Sequence, residues 1–308
     1  MDTNKFKPSI AEWEGLSLSK NGFNRWAHIE SDIERDIIIE LWTHSNIILA
    51  QSNEQVTRGG IDFTDWTRYL AKKDYYQTIP RRKSLRQGKV LVNFNKTFLQ
   101  ELNYQSQSLE EPEMGGGKII ICDGPYTSEL HHQLFKEHQK GSDKKYDFSF
   151  SCHQNMGSTY KGFNYSQEFF KNGIPIWDAC KKEVRKFAPI GDDVHRMMFY
   201  NSCRGVEAWT FVCLEYDIWL EEIVIPQAYE EYEASTKQLK LNIFDAGGMD
   251  DKETIIRKYI ARWAMIPLTR AVDTTVIQLK SSESKYGKII TSSLNKMQRE
   301  NYEIIQTK

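Results

Sequence analysis

No apolar run in this sequence approaches the roughly 20 residues that cross a bilayer. The opening Met-Asp-Thr-Asn-Lys has none of the apolar core of a secretory signal. Membrane-spanning and exported classes are thereby set aside, and a cytoplasmic location is the expectation. Cysteine is sparse, and none of the five (Cys122, Cys152, Cys180, Cys203, Cys213) forms a C-x-x-C pair. That spacing supports neither a zinc ribbon nor a disulfide framework, so no metal site is expected. Cys122 and Cys213 lie inside apolar runs and read as small buried hydrophobes. Charge of one sign is missing too: the net charge is −1, so a wholesale polyanion-binding surface is not implied. Any nucleic-acid contact has to come from local patches. Arg81, Arg82 and Lys83 with Lys89 make one such patch, which reads equally as a solvated basic hinge. No internal repeat is present.

What the chain does contain is enough apolar material for a core. Hydrophobic residues are 40% and charged residues 27% of its 308 positions, which fits one large globular domain or two modest ones. Ser31-Asp32-Ile33-Glu34 fits a capping box, and Ile33, Ile37, Ile38 and Leu41 follow at helical spacing to about Trp42. Residues 46–50 form a short apolar run of strand length, followed by a polar loop over 51–60. The basic stretch 80–86 marks a boundary. Beyond it, strands are expected at 118–122, 147–151, 197–200, 209–214 and 274–279, and helices at 128–139, 176–187 and 251–265. The Glu-rich stretch 221–233 reads as a solvated helix face. Short apolar strands alternating with helices predict a parallel sheet covered on both faces.

Three stretches carry candidate chemistry. Gly115-Gly116-Gly117-Lys118 superficially suggests a phosphate-binding loop. The pattern G-x-x-x-x-G-K-[ST] fails, because Pro112 holds the first glycine position, Ile119 follows the lysine, and a strand comes next. The glycines read as a loop feeding that strand. In the second stretch, 200–209, the pattern predicts a loop between two strands at the C-terminal edge of the sheet, where ligands bind parallel sheets. There Gly205 allows close backbone approach, Arg204 offers a phosphate partner, and Glu207 can accept from a ribose; an ordinary polar turn is the alternative. In the third, 264–271, Arg270 follows a helix and sits beside Thr269, placed to reach a phosphate or simply to pair with Asp273.

Ser202-Cys203-Arg204-Gly205-Val206-Glu207 resembles motif V of the superfamily-one UvrD/Rep-like helicases, and residues 265–273 (MIPLTRAVD) resemble their motif VI. Ser84-Leu85-Arg86-Gln87 is similar to motif IV. Residues 47–60 are similar to a degenerate motif III, in which Arg58 and Val56 agree but Gln51, Glu54 and Thr57 depart from the pattern. The slot for motif II holds Arg25-Trp26-Ala27-His28-Ile29, with no carboxylate for magnesium, and motif I has no counterpart. The resemblance implies an α/β, RecA-like (P-loop NTPase-type) parallel sheet with helices on both faces over 81–290. A small, incomplete α/β remnant of the first such domain would precede it over 1–80, with a C-terminal helix or tail over 291–308. No insertion large enough for the accessory domain of UvrD separates motifs IV and V.

By the same resemblance, Arg270 and Arg86 would approach a γ-phosphate as catalytic arginines, and Glu207 the nucleotide sugar. Gly205, Arg204 and Thr269 complete the expected nucleotide contacts, while Asn201, Ser202 and Arg58 would touch single-stranded DNA or RNA. ATP and magnesium are expected only with a partner chain that supplies the phosphate loop and the magnesium carboxylate, and no hydrolysis is expected of the chain alone. Two other readings stay open: a non-catalytic nucleic-acid-binding or protein-interaction subunit derived from a helicase, and an unrelated small-molecule binder on a doubly wound sheet.

Overall fold

The computed structural model of the protein describes residues 16–19, 22–26, 47–50, 86–104, 112, 115–153, 165–187, 191–241 and 251–307. The chain divides into two compact units, Met1–Ile79 and Pro80–Lys308. Within the first, β1 (Leu16–Ser19) pairs antiparallel with β2 (Gly22–Trp26), which pairs parallel with β3 (Ile47–Ala50). β3 is the short apolar run expected at 46–50. The capped helix at 31–42, the polar loop at 51–60, Arg58 and the basic patch at 81–83 lie outside the described residues.

The second unit is an α/β layer structure around seven strands. They are β4 (Lys118–Asp123), β5 (Phe148–Cys152), β6 (Ile176–Asp178), β7 (His195–Phe199), β8 (Ala208–Cys213), β9 (Ala271–Leu279) and β10 (Tyr302–Gln306). Their order is β10-β4-β9-β8-β5-β7-β6. Every pairing is parallel. A parallel sheet has to bury both faces, and alternation along each strand divides the core in two. Ile119, Ile121, Phe211, Cys213, Ile277 and Leu279 face one side. Ile120, Cys122, Phe148, Phe150, Val212 and Val276 face the other.

The first face is covered by α1 (Lys89–Glu101), α4 (Tyr216–Trp219), α5 (Ile225–Leu241), α6 (Lys252–Leu268) and α7 (Lys285–Asn295). α1 buries Leu91, Phe94 and Phe98 there, and α7 adds Tyr286, Ile290 and Leu294. The second face is covered by α2 (Ser128–His138) and α3 (Tyr165–Lys171), through Leu130, Leu134, Tyr165 and Phe169. Side-chain caps fix three helix starts by satisfying backbone donors that the helix leaves open. Thr127 accepts from Leu130 N, Asp251 from Thr254 N and Ser284 from Gly287 N.

Three expectations need correction. The helix expected over 176–187 is the edge strand β6 followed by a turn and a 3-10 segment, Val184–Lys186. Asp178 causes the break: its carboxylate accepts from Cys180 N at 3.1 Å, a local bond that competes with helix formation. The expected helix or tail over 291–308 contains the end of α7 and then β10, which extends the sheet beyond β4. α1, a full helix with no expected counterpart, follows Arg86 and Gln87. The Glu-rich stretch is helical over a π segment, Leu220–Val224, and α5. It is not solely a solvated face, because Glu221 accepts from Tyr286 N at the start of α7.

Candidate anion-binding site

Three segments far apart in sequence meet at the end of the sheet where β8 and β9 begin. The end of α6 delivers Thr269 and Arg270, and Arg270 O accepts from Ala208 N at 3.2 Å, tying the start of β8 to that of β9. Glu207 directly precedes β8. Arg86 enters from the chain before α1, where Gln87 fixes its position. The buried Gln87 Nε2 donates to Leu268 O (2.9 Å) and Ala271 O (3.3 Å), while its Oε1 accepts from Asn95 at 3.1 Å. Gln87 thus clamps the residue beside it to the two backbone carbonyls that flank Thr269 and Arg270. Gln87→Leu is expected to leave those carbonyls and Asn95 underbonded and to cost about 2 kcal/mol. Urea unfolding measures this, and an unchanged midpoint would dismiss the clamp.

Arg86 reaches Glu207 with Nη1 at 2.5 Å from Oε1, and its Nη2 donates to Thr269 O. Arg270 donates through Nη2 to Thr269 Oγ1 at 2.7 Å. Thr269 Oγ1 donates in turn to Met265 O or Ile266 O, so the last turn of α6 holds the hydroxyl in place. Arg270 is 6% exposed, and its Nε is buried without a hydrogen-bond partner. Its pKa is pulled down to about 10, first by burial and then by repulsion from Arg86, with Cys203 and Glu207 acting the other way and Arg204 adding further repulsion. It therefore stays charged at neutral pH. Arg204 lies with its guanidinium 5.3 Å from the ring centre of Trp263 on α6, a cation–π placement. Cys203 is fully buried between these groups, and its thiol is pushed up to about 12, mainly by burial.

Gly205 has φ +76, and a Cβ there would meet nothing within 4 Å. The backbone turn itself needs glycine at this position, with Val206 N donating to Cys203 O at 3.2 Å.

The segment 200–207 crosses from the C-terminal end of β7 to the N-terminal end of β8, and this divides the candidate residues. Arg86, Arg204, Glu207, Thr269 and Arg270 gather on the side where β8 and β9 start. The C-terminal edge expected for this loop holds only its beginning, with Asn201 and Ser202 exposed and Ser202 Oγ donating to Asn201 Oδ1 at 3.2 Å. Asn201 borders a small open hollow shared with Cys152, His153, Trp219, Gln227 and Trp263. The glycine run at 115–117 feeds β4, as read from the sequence. Gly116 O accepts from Val90 N at the start of α1, and Lys118 pairs with Glu303 at 2.7 Å.

Two neighbours of the cluster were not among the candidate residues. Gln87, the last residue of the string that resembles motif IV, is the first. Arg196 at the start of β7, with no signal in the sequence, is the second: buried, it donates through Nη2 to Glu207 O at 2.5 Å and through Nε to Tyr146 O at 2.9 Å. Its guanidinium lies 3.9 Å from the centre of the Tyr146 ring, and burial lowers its pKa. Arg196 therefore fixes the backbone that presents the Glu207 carboxylate. Among the described residues, no group of three or more His, Cys, Asp or Glu is placed to hold a metal. No described helix is long and apolar enough to cross a membrane.

No protein-family model matches the chain, and no curated protein matches it. Among solved structures it is similar to the C-terminal domain of a possible DNA helicase from Lactobacillus plantarum. That similarity stands at 9% identity and a TM-score of 0.35, over 72% of this chain and 98% of the other. At that level the likeness carries no weight for function, which has to be read from the arginine cluster itself.

Proposed function

We propose that residues 80–308 are the arginine-bearing half of a helicase-type nucleotide site, completed by a partner chain that holds the phosphates. One observation carries this reading. Segments resembling motifs IV, V and VI, separate in sequence, bring Arg86, Arg204 and Arg270 to one place together with Thr269 and Glu207. Guanidiniums grouped in this way stabilise charge spread over the oxygens of a transferring phosphoryl group. Arg270, buried and with Nε unsatisfied, would meet the terminal phosphate, and Glu207 would accept from the sugar. The three arginines would receive the phosphate end of ATP, while the phosphate loop and magnesium would come from the partner. Asn201 and Ser202, exposed at the opposite end of the crossing segment, would lie along single-stranded DNA or RNA.

The test is calorimetry and turnover with Mg-ATP on the chain alone, with a single-stranded oligonucleotide, and with a co-purifying partner that carries a phosphate loop. No turnover is expected from the chain alone. With the partner, activity should appear and should fall about a thousandfold or more in Arg270→Ala. Turnover without a partner, or activity indifferent to Arg270, would remove this reading. A second reading, a non-catalytic nucleic-acid-binding or interaction subunit, draws support from Arg86 being already engaged by Glu207 and Thr269 O. Oligonucleotide binding that ignores ATP and every partner would favour it.

A further inference from the structure

The cluster holds more positive than negative charge, and one residue occupies the position of the missing anion. Arg86, Arg204 and Arg270 act on one another strongly enough that Arg86 and Arg204 both oppose the charge on Arg270, and Glu207 is the carboxylate that offsets them there. Glu207 reaches Arg86 at 2.5 Å while its own side chain remains 58% exposed. Its backbone is pinned from behind by Arg196, so the carboxylate can swing away without moving the strand. Arg86 also rests on Thr269 O, the carbonyl of the residue whose hydroxyl holds Arg270. An incoming polyphosphate would compete with Glu207 for Arg86 and would find Arg270 already in position.

We propose that Glu207 is an internal latch: a surrogate anion that closes the arginine site in the free chain and, when a polyphosphate displaces it from Arg86, swings free to accept from the sugar of a nucleotide. This rests on reading the cluster as an anion site. The latch has two consequences. It holds mutually repelling guanidiniums together before any ligand is present, which preorganises the site. It also sets a threshold, because a weak or singly charged anion does not repay the loss of the Arg86–Glu207 pair, whereas the multiply charged end of a nucleoside triphosphate does.

Inorganic tripolyphosphate is a suitable probe, titrated by calorimetry and by thermal shift into the full chain and its variants. Glu207→Gln keeps the shape and removes the charge, so it should bind tripolyphosphate about 2- to 5-fold more tightly than wild type, the range of a partly exposed ion pair. It should also melt lower in a buffer of weak anions, with tripolyphosphate restoring the loss. Glu222→Gln, a charge-matched change at an exposed position outside the cluster, should bind as wild type does. Arg270→Ala should bind at least about tenfold more weakly.

Equal affinity in wild type and Glu207→Gln, with Arg270→Ala still weakened, would overturn the latch and leave the anion site standing. Equal gains in Glu207→Gln and Glu222→Gln would also overturn it, reducing the effect to net charge. Failure of every variant to bind tripolyphosphate would overturn both the latch and the anion site on which it depends.

Discussion

Between pH 7 and pH 5 the protein should lose about 4 kcal/mol of stability, because two buried imidazoles stay neutral in the fold. His131 and His195 are each 1% exposed, with ring centres 4.8 Å apart in T-shaped contact, and Phe148 and Phe150 pack against both. Burial is the main cause of both shifts. His131 falls to about 3, with His195, His132 and His138 adding repulsion. His195 falls to about 4, although accepting backbone carbonyls at Lys145 and Phe148 work against the change.

The sign follows from linkage. Above about pH 6.5 the rings are neutral in both folded and unfolded chains, and stability does not change with pH. Between there and the folded values, the unfolded chain takes up protons that the native core refuses. Each ring then costs about 1.4 kcal/mol per pH unit, and the loss levels off below the folded values. Urea midpoints across that range measure the effect, and His131→Phe should remove about half of the slope. A flat profile would mean that protonated rings find water or a partner in the native state.

Asp217→Ala should cost about 3–5 kcal/mol, the range for removing one partner from a buried charged network. Asp217 is wholly buried at the start of α4. Its carboxylate accepts from Lys280 N at 2.9 Å, Ser281 N at 3.3 Å and Ser284 Oγ at 2.8 Å. Those donors belong to the turn that links β9 to α7, and Asp123 holds the same turn through Ser282 N and Oγ. Alanine leaves three donors stranded, whereas Asp217→Asn keeps one acceptor oxygen and should cost clearly less. Chemical denaturation of both variants measures this. Equal losses would mean that charge rather than hydrogen bonding holds the turn.

The sheet was readable where short apolar runs were bounded by polar turns. β4, β5, β8 and β9, with helices α2 and α6, begin or end within a few residues of their expected limits. β6 was misread because its strand spans only Ile176–Asp178, too short to show alternation, and sits at the sheet edge where pairing rather than pattern defines it. α1 was missed because Val90, Val92, Phe94 and Phe98 have strand propensity, while its buried positions Leu91, Phe94, Asn95 and Phe98 repeat at helical spacing. β10 carries only a short apolar pair, Ile304-Ile305, and its place beside β4 depends on chain folded long before it.

The candidate cluster was legible residue by residue, because Arg270, Glu207 and Arg204 sit in recognisable strings. Its arrangement was not. The strings suggested a ligand at the C-terminal edge, whereas the crossing of segment 200–207 carries the charged residues to the opposite end. Arg196 had no motif to announce it, and Gln87, though part of the string that resembles motif IV, acts through the carbonyls of Leu268 and Ala271, which only folding brings near.

The all-parallel sheet has a kinetic consequence. Among the described residues every pairing in the larger unit needs a crossover, and none is a hairpin that could seed it; Lys118 of β4 pairs with Thr274 of β9 across most of the unit. Such contacts form late, after loop closure has been opposed by chain entropy. The arginine cluster requires β8, β9 and the segment before α1 all in place, so it should be absent from any partly assembled intermediate. Polyphosphate binding during refolding would therefore rise with the slowest phase, and the emergence of the site would serve as a clock for completion of the fold.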